Sequence, residues 1–311
     1  MFLVSGTELV KTCCLNGVIG SFPAPNARPI EVLDQWMEQL NNELREAREK
    51  DPDRKIAPWA MNMVVHSSYS RLQDELDLIK KYKPQLVITS LGSPKHVVEI
   101  VHEYGGLVFS DVSDLKFAKK AAEAGADGLI LVASGAGGHA GQINSFAFVD
   151  MVRSFWDGII ILAGSISTGK GILAAQAAGA DLAYMGTRFI AATESMANDD
   201  YRSMLVDATQ EDLILTDAFS GVRANMLIPS IKKAGLDPDK LVKKDQVNFD
   251  HMQKDSNAKA WKDIWSAGHG VGVIDRIESA ADIINRLEIE YKEALQKINS
   301  FAGKITNVGV K

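Results

Sequence analysis

Cysteine is nearly absent. The only two among 311 residues, Cys13 and Cys14, are adjacent, a spacing that disfavours an unstrained mutual disulfide. That excludes a disulfide framework and a cysteine-built zinc centre, and it points to a reducing compartment. No metal site is expected. Basic residues are in deficit, with 34 Lys+Arg against 40 Asp+Glu and a net charge of −6, so little would drive counterion release from a nucleic acid or binding to an anionic membrane surface. No apolar run approaches the roughly 20 residues needed to cross a bilayer. The opening Met1-Phe2-Leu3-Val4-Ser5-Gly6 carries neither the basic region nor the apolar region of a secretion signal, and a cytoplasmic protein is expected. What is present is globular: 46% hydrophobic and 24% charged residues, over a length suited to one large or two ordinary domains.

Short apolar runs alternate with helical stretches along most of the chain. Strands are expected at 18–21, 56–63, 86–90, 107–111, 128–132, 159–163 and 182–185. Several are continuously apolar, such as Leu129-Ile130-Leu131-Val132 and Ile159-Ile160-Ile161-Leu162, as in parallel strands covered on both faces. Asp114 is placed to cap one intervening helix and Thr168 another. These two helices end in nearly the same words, Ala124-Gly125-Ala126-Asp127 and Ala178-Gly179-Ala180-Asp181, a weak echo of a repeated βα module. Such alternation predicts an α/β fold, either a (β/α)8 barrel or a doubly wound sheet. Residues 1–209 form the expected barrel and 210–270 a polar helical lid. Residues 271–311 hold a long amphipathic helix, about 280–298, and a frayed tail.

Glycines concentrate after three late strands, in Ser134-Gly135-Ala136-Gly137-Gly138-His139-Ala140-Gly141, in Gly164-Ser165-Ile166-Ser167 and in Gly186-Thr187. In α/β folds ligands collect at this edge, and glycine lets backbone N–H groups approach a phosphate. Residues 135–140 also fit the dinucleotide fingerprint G-x-G-x-x-G/A, with Asp157 downstream. They sit at a late unit rather than the first, however, and no apolar-periodic helix follows at once. His139 stands among glycines at a strand end, where no core packing requires an imidazole. It suits proton abstraction or anion binding. His66 is placed to line the same mouth, while His96 and His102 fall on a helix.

Ala136-Gly137-Gly138-His139-Ala140-Gly141, Ala163-Gly164-Ser165-Ile166, Tyr184-Met185-Gly186-Thr187-Arg188-Phe189 and Ser266-Ala267-Gly268-His269-Gly270 together resemble the nitronate monooxygenase family. Flavin-dependent enoyl-acyl-carrier-protein reductases share much of the set. The resemblance implies a TIM barrel with a small helical lid and bound FMN. It also implies oxidation of alkyl nitronates by dioxygen to a carbonyl compound and nitrite. The alternatives are an NAD(P)H-dependent enoyl reductase and a non-catalytic flavin-binding barrel. The partners it implies are a nitronate or nitroalkane and O2, and a homo-oligomer is allowed. By the same resemblance His139 is the base or substrate-orienting group. Met1, Asn62, Ser134, Gly137, Gly138, Gly164, Ser165, Gly186 and Thr187 hold FMN, while His66, Gly268 and His269 border the substrate cavity. The stretch 245–257 is expected to be exposed to solvent. Where some relatives carry a flavin-contacting lysine, this chain has Ser110-Asp111. Only seven strands are visible, and Met1 resembles the methionine of a proline-methionine pair that ends strand one in relatives. The chain is therefore expected to begin just past that strand, with the tail 301–311 a candidate to fill the gap.

Overall fold

The computed structural model describes residues 1–243 and 261–306. Its strands are β1 (Gly20–Pro23), β2 (Trp59–Val64), β3 (Leu86–Ser90), β4 (Leu107–Val112), β5 (Gly128–Val132), β6 (Gly138–His139), β7 (Ile159–Ala163), β8 (Leu182–Tyr184), β9 (Leu213–Thr216) and β10 (Ala224–Leu227). The helices are α1 (Thr7–Leu15), α2 (Ile30–Lys50), α3 (Leu72–Tyr82), α4 (Lys95–His102), α5 (Leu115–Glu123), α6 (Ser145–Arg153), α7 (Gly169–Ala177), α8 (Thr187–Ile190), α9 (Asp199–Asp207), α10 (Ile228–Lys233) and α11 (Ala280–Thr306). No helix among the described residues is long and apolar enough to cross a membrane.

Seven strands pair in parallel in the order β1-β2-β3-β4-β5-β7-β8, making the curled sheet of a TIM-type barrel. Alternate residues serve opposite faces, as the pleat requires. Ala60, Ile88, Phe109, Ile130 and Ile161 pack together inside, while Leu129, Leu131, Ile160 and Leu162 pack outward with Ala118 and Phe148 of the flanking helices. Continuous apolar runs are the direct result of this double burial.

The cap residues act as the sequence predicts. Asp114 accepts the Phe117 N–H at 2.9 Å and Thr168 accepts that of Gly171 at 3.1 Å. The repeated Ala-Gly-Ala-Asp words do one job twice. Gly125 and Gly179 turn the chain at φ of +89° and +101°. The aspartate that follows each one accepts a main-chain N–H from the neighbouring strand. Asp127 takes that of Val108 at 2.7 Å and Asp181 that of Ile160 at 2.7 Å.

Among the described residues the parallel sheet has seven strands, with β1 and β8 at its edges. Residues before α1 form a turn rather than a strand. The edge groups are partly provided for: the Ser5 hydroxyl donates to the Ser21 carbonyl at 2.7 Å, and Ser21 Oγ lies 3.0 Å from the Tyr184 hydroxyl. Outside this seam, Leu9 and Cys13 of α1 pack with Phe189 and with Ile283, Ile284 and Leu287 of α11. Cys13 and Cys14 are unbridged, and burial pushes the Cys14 thiol up to about 11.

Two expectations change. The segment 210–270, read as helical, contains the hairpin β9–β10, which joins β6 in a separate three-stranded antiparallel sheet. Strands this short carry too few residues to show a period. The tail does not offer 301–306 to the barrel seam, because α11 continues to Thr306. Residues 307–311, with the alternating Val308 and Val310, lie outside the described residues, as does 245–257.

Helix α11 crosses α7 at Gly169, whose N–H donates to Glu290 at 2.7 Å. A Cβ on Gly169 would lie 2.2 Å from the Leu287 carbonyl oxygen and 2.3 Å from the Tyr291 nitrogen. Both are backbone atoms and cannot rotate away. Gly169→Ala is therefore expected to destabilise the fold by about 1–3 kcal/mol, read as a lowered Tm in thermal unfolding. An unchanged Tm would show that the two helices are free to separate there.

Candidate active site

A cavity of about 1800 Å³ opens at the C-terminal ends of the parallel strands and continues along the β1–β8 seam as far as Val18, Ile19, Asp181 and Leu182. This exceeds the roughly 300–1,000 Å³ of a usual small-molecule site, leaving room for a cofactor and a substrate together. One wall is main chain. The loop after β5 turns at Gly135 and Gly138 with φ of +81° and +72°, and the loop after β7 turns at Gly164 and Ser165 with φ of +115° and +60°. The non-glycine Ser165 in the left-handed region is a strained residue of the kind found at ligand sites. The Gly135 carbonyl gathers these loops, accepting the N–H of Ser165 at 3.3 Å and of His269 at 2.9 Å. The Gly268 N–H donates to Thr187 Oγ1 at 2.9 Å. A Cβ on Gly137 would lie 2.8 Å from the Gly268 nitrogen, so side chains are excluded where these backbones meet.

The facing wall is polar at its base. Asn62, in the C-terminal half of β2, donates Nδ2–H to Asp111 Oδ2 at 3.0 Å and accepts the Ser90 hydroxyl at 3.3 Å, which sets the orientation of its amide. Asp111 is the penultimate residue of β4, with Oδ1 buried and without a hydrogen-bond partner, and burial pushes its carboxyl up to about 7. Burial likewise lowers the pKa of the Met1 α-amino group, which Asp111 opposes. At the mouth, Tyr69 donates to the buried Glu75 at 2.7 Å, whose carboxyl burial raises to about 7.

His139 joins the two parts of the molecule. Its strand β6 pairs antiparallel with β10, His139 opposite Ala224 and Gly138 opposite Asn225. Asn225 also donates Nδ2–H to the Ala136 carbonyl at 2.7 Å. The imidazole packs against Trp261 edge to face, with ring centroids 5.2 Å apart, and its Nε2 lies 3.1 Å from Ser220 Oγ.

Met1, Asn62, His66, Gly137, Gly138, His139, Gly164, Ser165, Gly186, Thr187 and Gly268 all line this one cavity. Two expected residues do not. Ser134 stands behind the wall, its carbonyl accepting from Ser165 Oγ at 3.5 Å. His269 is exposed; its main chain is tied to Gly135 and its ring lies against that glycine, where a Cβ would be 2.9 Å from the ring. Arg188, within the third motif, is buried and donates to the Ser167 carbonyl at 2.9 Å, so it braces the loop rather than facing the cavity. Ser220, Asn225 and Trp261 carry no local motif and were not legible as site residues. No metal-binding cluster occurs among the described residues.

Residues 23–290 match the nitronate monooxygenase family. The nitronate monooxygenase of Paraburkholderia phytofirmans is 27% identical over 76% of this chain and 69% of its own. That of Neurospora crassa is 27% identical over 68% of this chain and 61% of its own. Among solved structures, FabK from Thermotoga maritima superposes with a TM-score of 0.76 at 24% identity, covering 97% of this chain and 93% of that one. The nitroalkane oxidase of Streptomyces ansochromogenes does so with a TM-score of 0.73 at 21% identity, over 95% and 94%. At these identities the two structures share the fold.

Asp111 makes stability depend on pH. A carboxyl raised from about 4 in the unfolded chain to about 7 when folded favours folding below pH 4, and this contribution is lost as pH rises towards 7. Asp111→Asn removes the dependence while keeping an acceptor for Asn62. The Tm difference, variant minus parent, is expected to be more positive at pH 8 than at pH 5 by about 2–4 °C. Thermal unfolding at both pH values checks it, and an equal difference at both would mean that Asp111 does not titrate between them.

Proposed function

Because the chain belongs to the nitronate monooxygenase family, a flavin-dependent group of oxidoreductases, we propose that it binds FMN and oxidises alkyl nitronates with dioxygen. In the balanced sum, two nitronates and one dioxygen give two carbonyl compounds and two nitrites. The observation that carries this reading is the placing of His139 on the wall of the same cavity as the glycine cradle.

The residues fit the cofactor. Gly164 and Gly186, with the hydroxyls of Ser165 and Thr187, line the end of the cavity that follows the last two barrel strands, where barrels of this kind hold phosphate. Backbone approach at Gly164 needs a bare glycine, since a Cβ there would lie 3.1 Å from the Ala136 nitrogen. Gly137, Gly138, Asn62 and Met1 complete the set that would hold FMN. When bound, FMN supplies the electron-accepting chemistry of the oxidation.

The chain's own contribution is binding, orientation and proton handling. His139, as the imidazolium, holds the negatively charged nitronate; as the neutral base, it removes the α-proton of a nitroalkane. Trp261 packs on the imidazole and narrows the arcs through which it can turn. Asn62, clamped by Asp111 and Ser90, presents a fixed amide from the opposite wall. The reading places the reaction in a reducing compartment, with the nitronate or nitroalkane and O2 as its small-molecule partners.

His139→Asn is expected to retain FMN, judged by its visible spectrum, while kcat/KM for nitroethane falls by about 10²-fold or more. Oxygen uptake and nitrite release with nitroethane and with ethyl nitronate are the measurements. Unchanged kcat/KM on both substrates would overturn the reading.

A further inference from the structure

Asp111 stands two residues after Phe109 on β4 and so on the same face of the sheet, the face that packs inside the barrel. It lines the cavity, and its surroundings are accounted for on every side. From β2, Asn62 donates to Oδ2 at 3.0 Å. From β5, the residue opposite is the apolar Ile130. From β8, the Tyr184 phenol is pushed up by burial and by Asp111 itself, so it stays neutral. The Met1 α-amino group is the one cation that acts on Asp111, and burial disfavours its charge. Among the described residues no lysine, arginine or histidine pairs with this carboxyl. Oδ1 is buried with no hydrogen-bond partner. A carboxylate held by a single donor keeps its charge at a cost, and a second negative charge nearby tips it to the neutral acid.

We propose that Asp111 answers reduction of the cofactor: as negative charge enters the flavin, its carboxylate takes up a proton and becomes the neutral acid. The proposal rests on the reading that this cavity holds FMN. Asp111 touches two residues of the set that would hold it, Asn62 by a hydrogen bond and Met1 by charge, so it feels the cofactor whichever carboxyl oxygen lies nearer. In turnover the electrons come from the nitronate. The proton comes from solvent through the open cavity and forms one O–H bond on the carboxyl, and no bond of Asp111 breaks. Oδ1 has free lone pairs to receive it, while Oδ2 keeps its bond from Asn62. Two like charges in a site with few donors are thereby avoided, and the electron affinity of the cofactor depends on pH through this one side chain.

The test uses the full chain loaded with FMN. Its midpoint potential is measured at pH 6 and pH 8 by dithionite titration against a reference dye. Asp111→Asn, neutral at both pH values and still an acceptor for Asn62, is measured beside it. With its carboxyl pushed up to about 7, Asp111 of the oxidised protein is mostly protonated at pH 6 and mostly ionised at pH 8. The difference in potential, variant minus parent, is expected to be more positive at pH 8 than at pH 6. That corresponds to a rise of about tenfold in the proton affinity of Asp111 on reduction. A second measurement needs no variant. The parent protein, labelled with ¹³C-carboxyl aspartate, is expected to gain the infrared C=O stretch of a protonated aspartic acid on reduction at pH 8. An equal difference at both pH values, or no gain of that band, overturns the proposal and leaves the cofactor reading in place. A folded protein that takes up no FMN overturns that reading and the proposal with it.

Discussion

Parallel pairing is the constraint from which the rest of this structure follows. A parallel strand cannot return through a tight turn, so each connection must travel back over the outside of the sheet, here as a helix. The strands are therefore apolar on both faces, and all their C-terminal ends meet at one rim. Residues distant in sequence, Asn62, Asp111, His139, Ser165 and Thr187, share one cavity because they follow or end different strands of the same sheet. The opposite rim receives the sealing aspartates Asp127 and Asp181. Asp181 also lines the cavity where it follows the β1–β8 seam.

A rim of glycine loops has no side chains with which to pack itself. In this chain the insertion supplies what the loops lack. Strand β10 pairs with the two-residue strand that carries His139, Asn225 ties down the Ala136 carbonyl, and the segment around Gly268 fills against Gly137. Tyr201 joins this bracing from α9, its hydroxyl donating to the Ser266 carbonyl at 2.5 Å. The insertion is less a cover over the cavity than part of its wall.

This division explains what could be read from the residues alone. Residues 128–132 and 159–163 were legible as strands because burial on both faces leaves an unbroken apolar run. Strand β1 was read two residues early. Val18 and Ile19 look like its core but are each 39% exposed, whereas Phe22, beside a proline, is fully buried. The hairpin in 210–270 was illegible, since four-residue strands show neither period clearly. Ser220 left no local trace, because its partner His139 is 81 residues away. Asp111 was visible only as a departure from a related pattern, and its unpartnered oxygen emerged from three-dimensional packing.

The packing of α1 against α11 has a consequence for how the chain reaches this form. The two helices cover the same seam, yet one begins at Thr7 and the other at Ala280. During synthesis, the middle strands can pair with their sequence neighbours as each βα unit leaves the ribosome. The seam between β1 and β8 must wait, because residues 283–287, whose side chains pack on Leu9 and Cys13, are made after all the barrel strands. Its apolar edge thus stays open to solvent from the making of β8 until residues 283–287 have followed it.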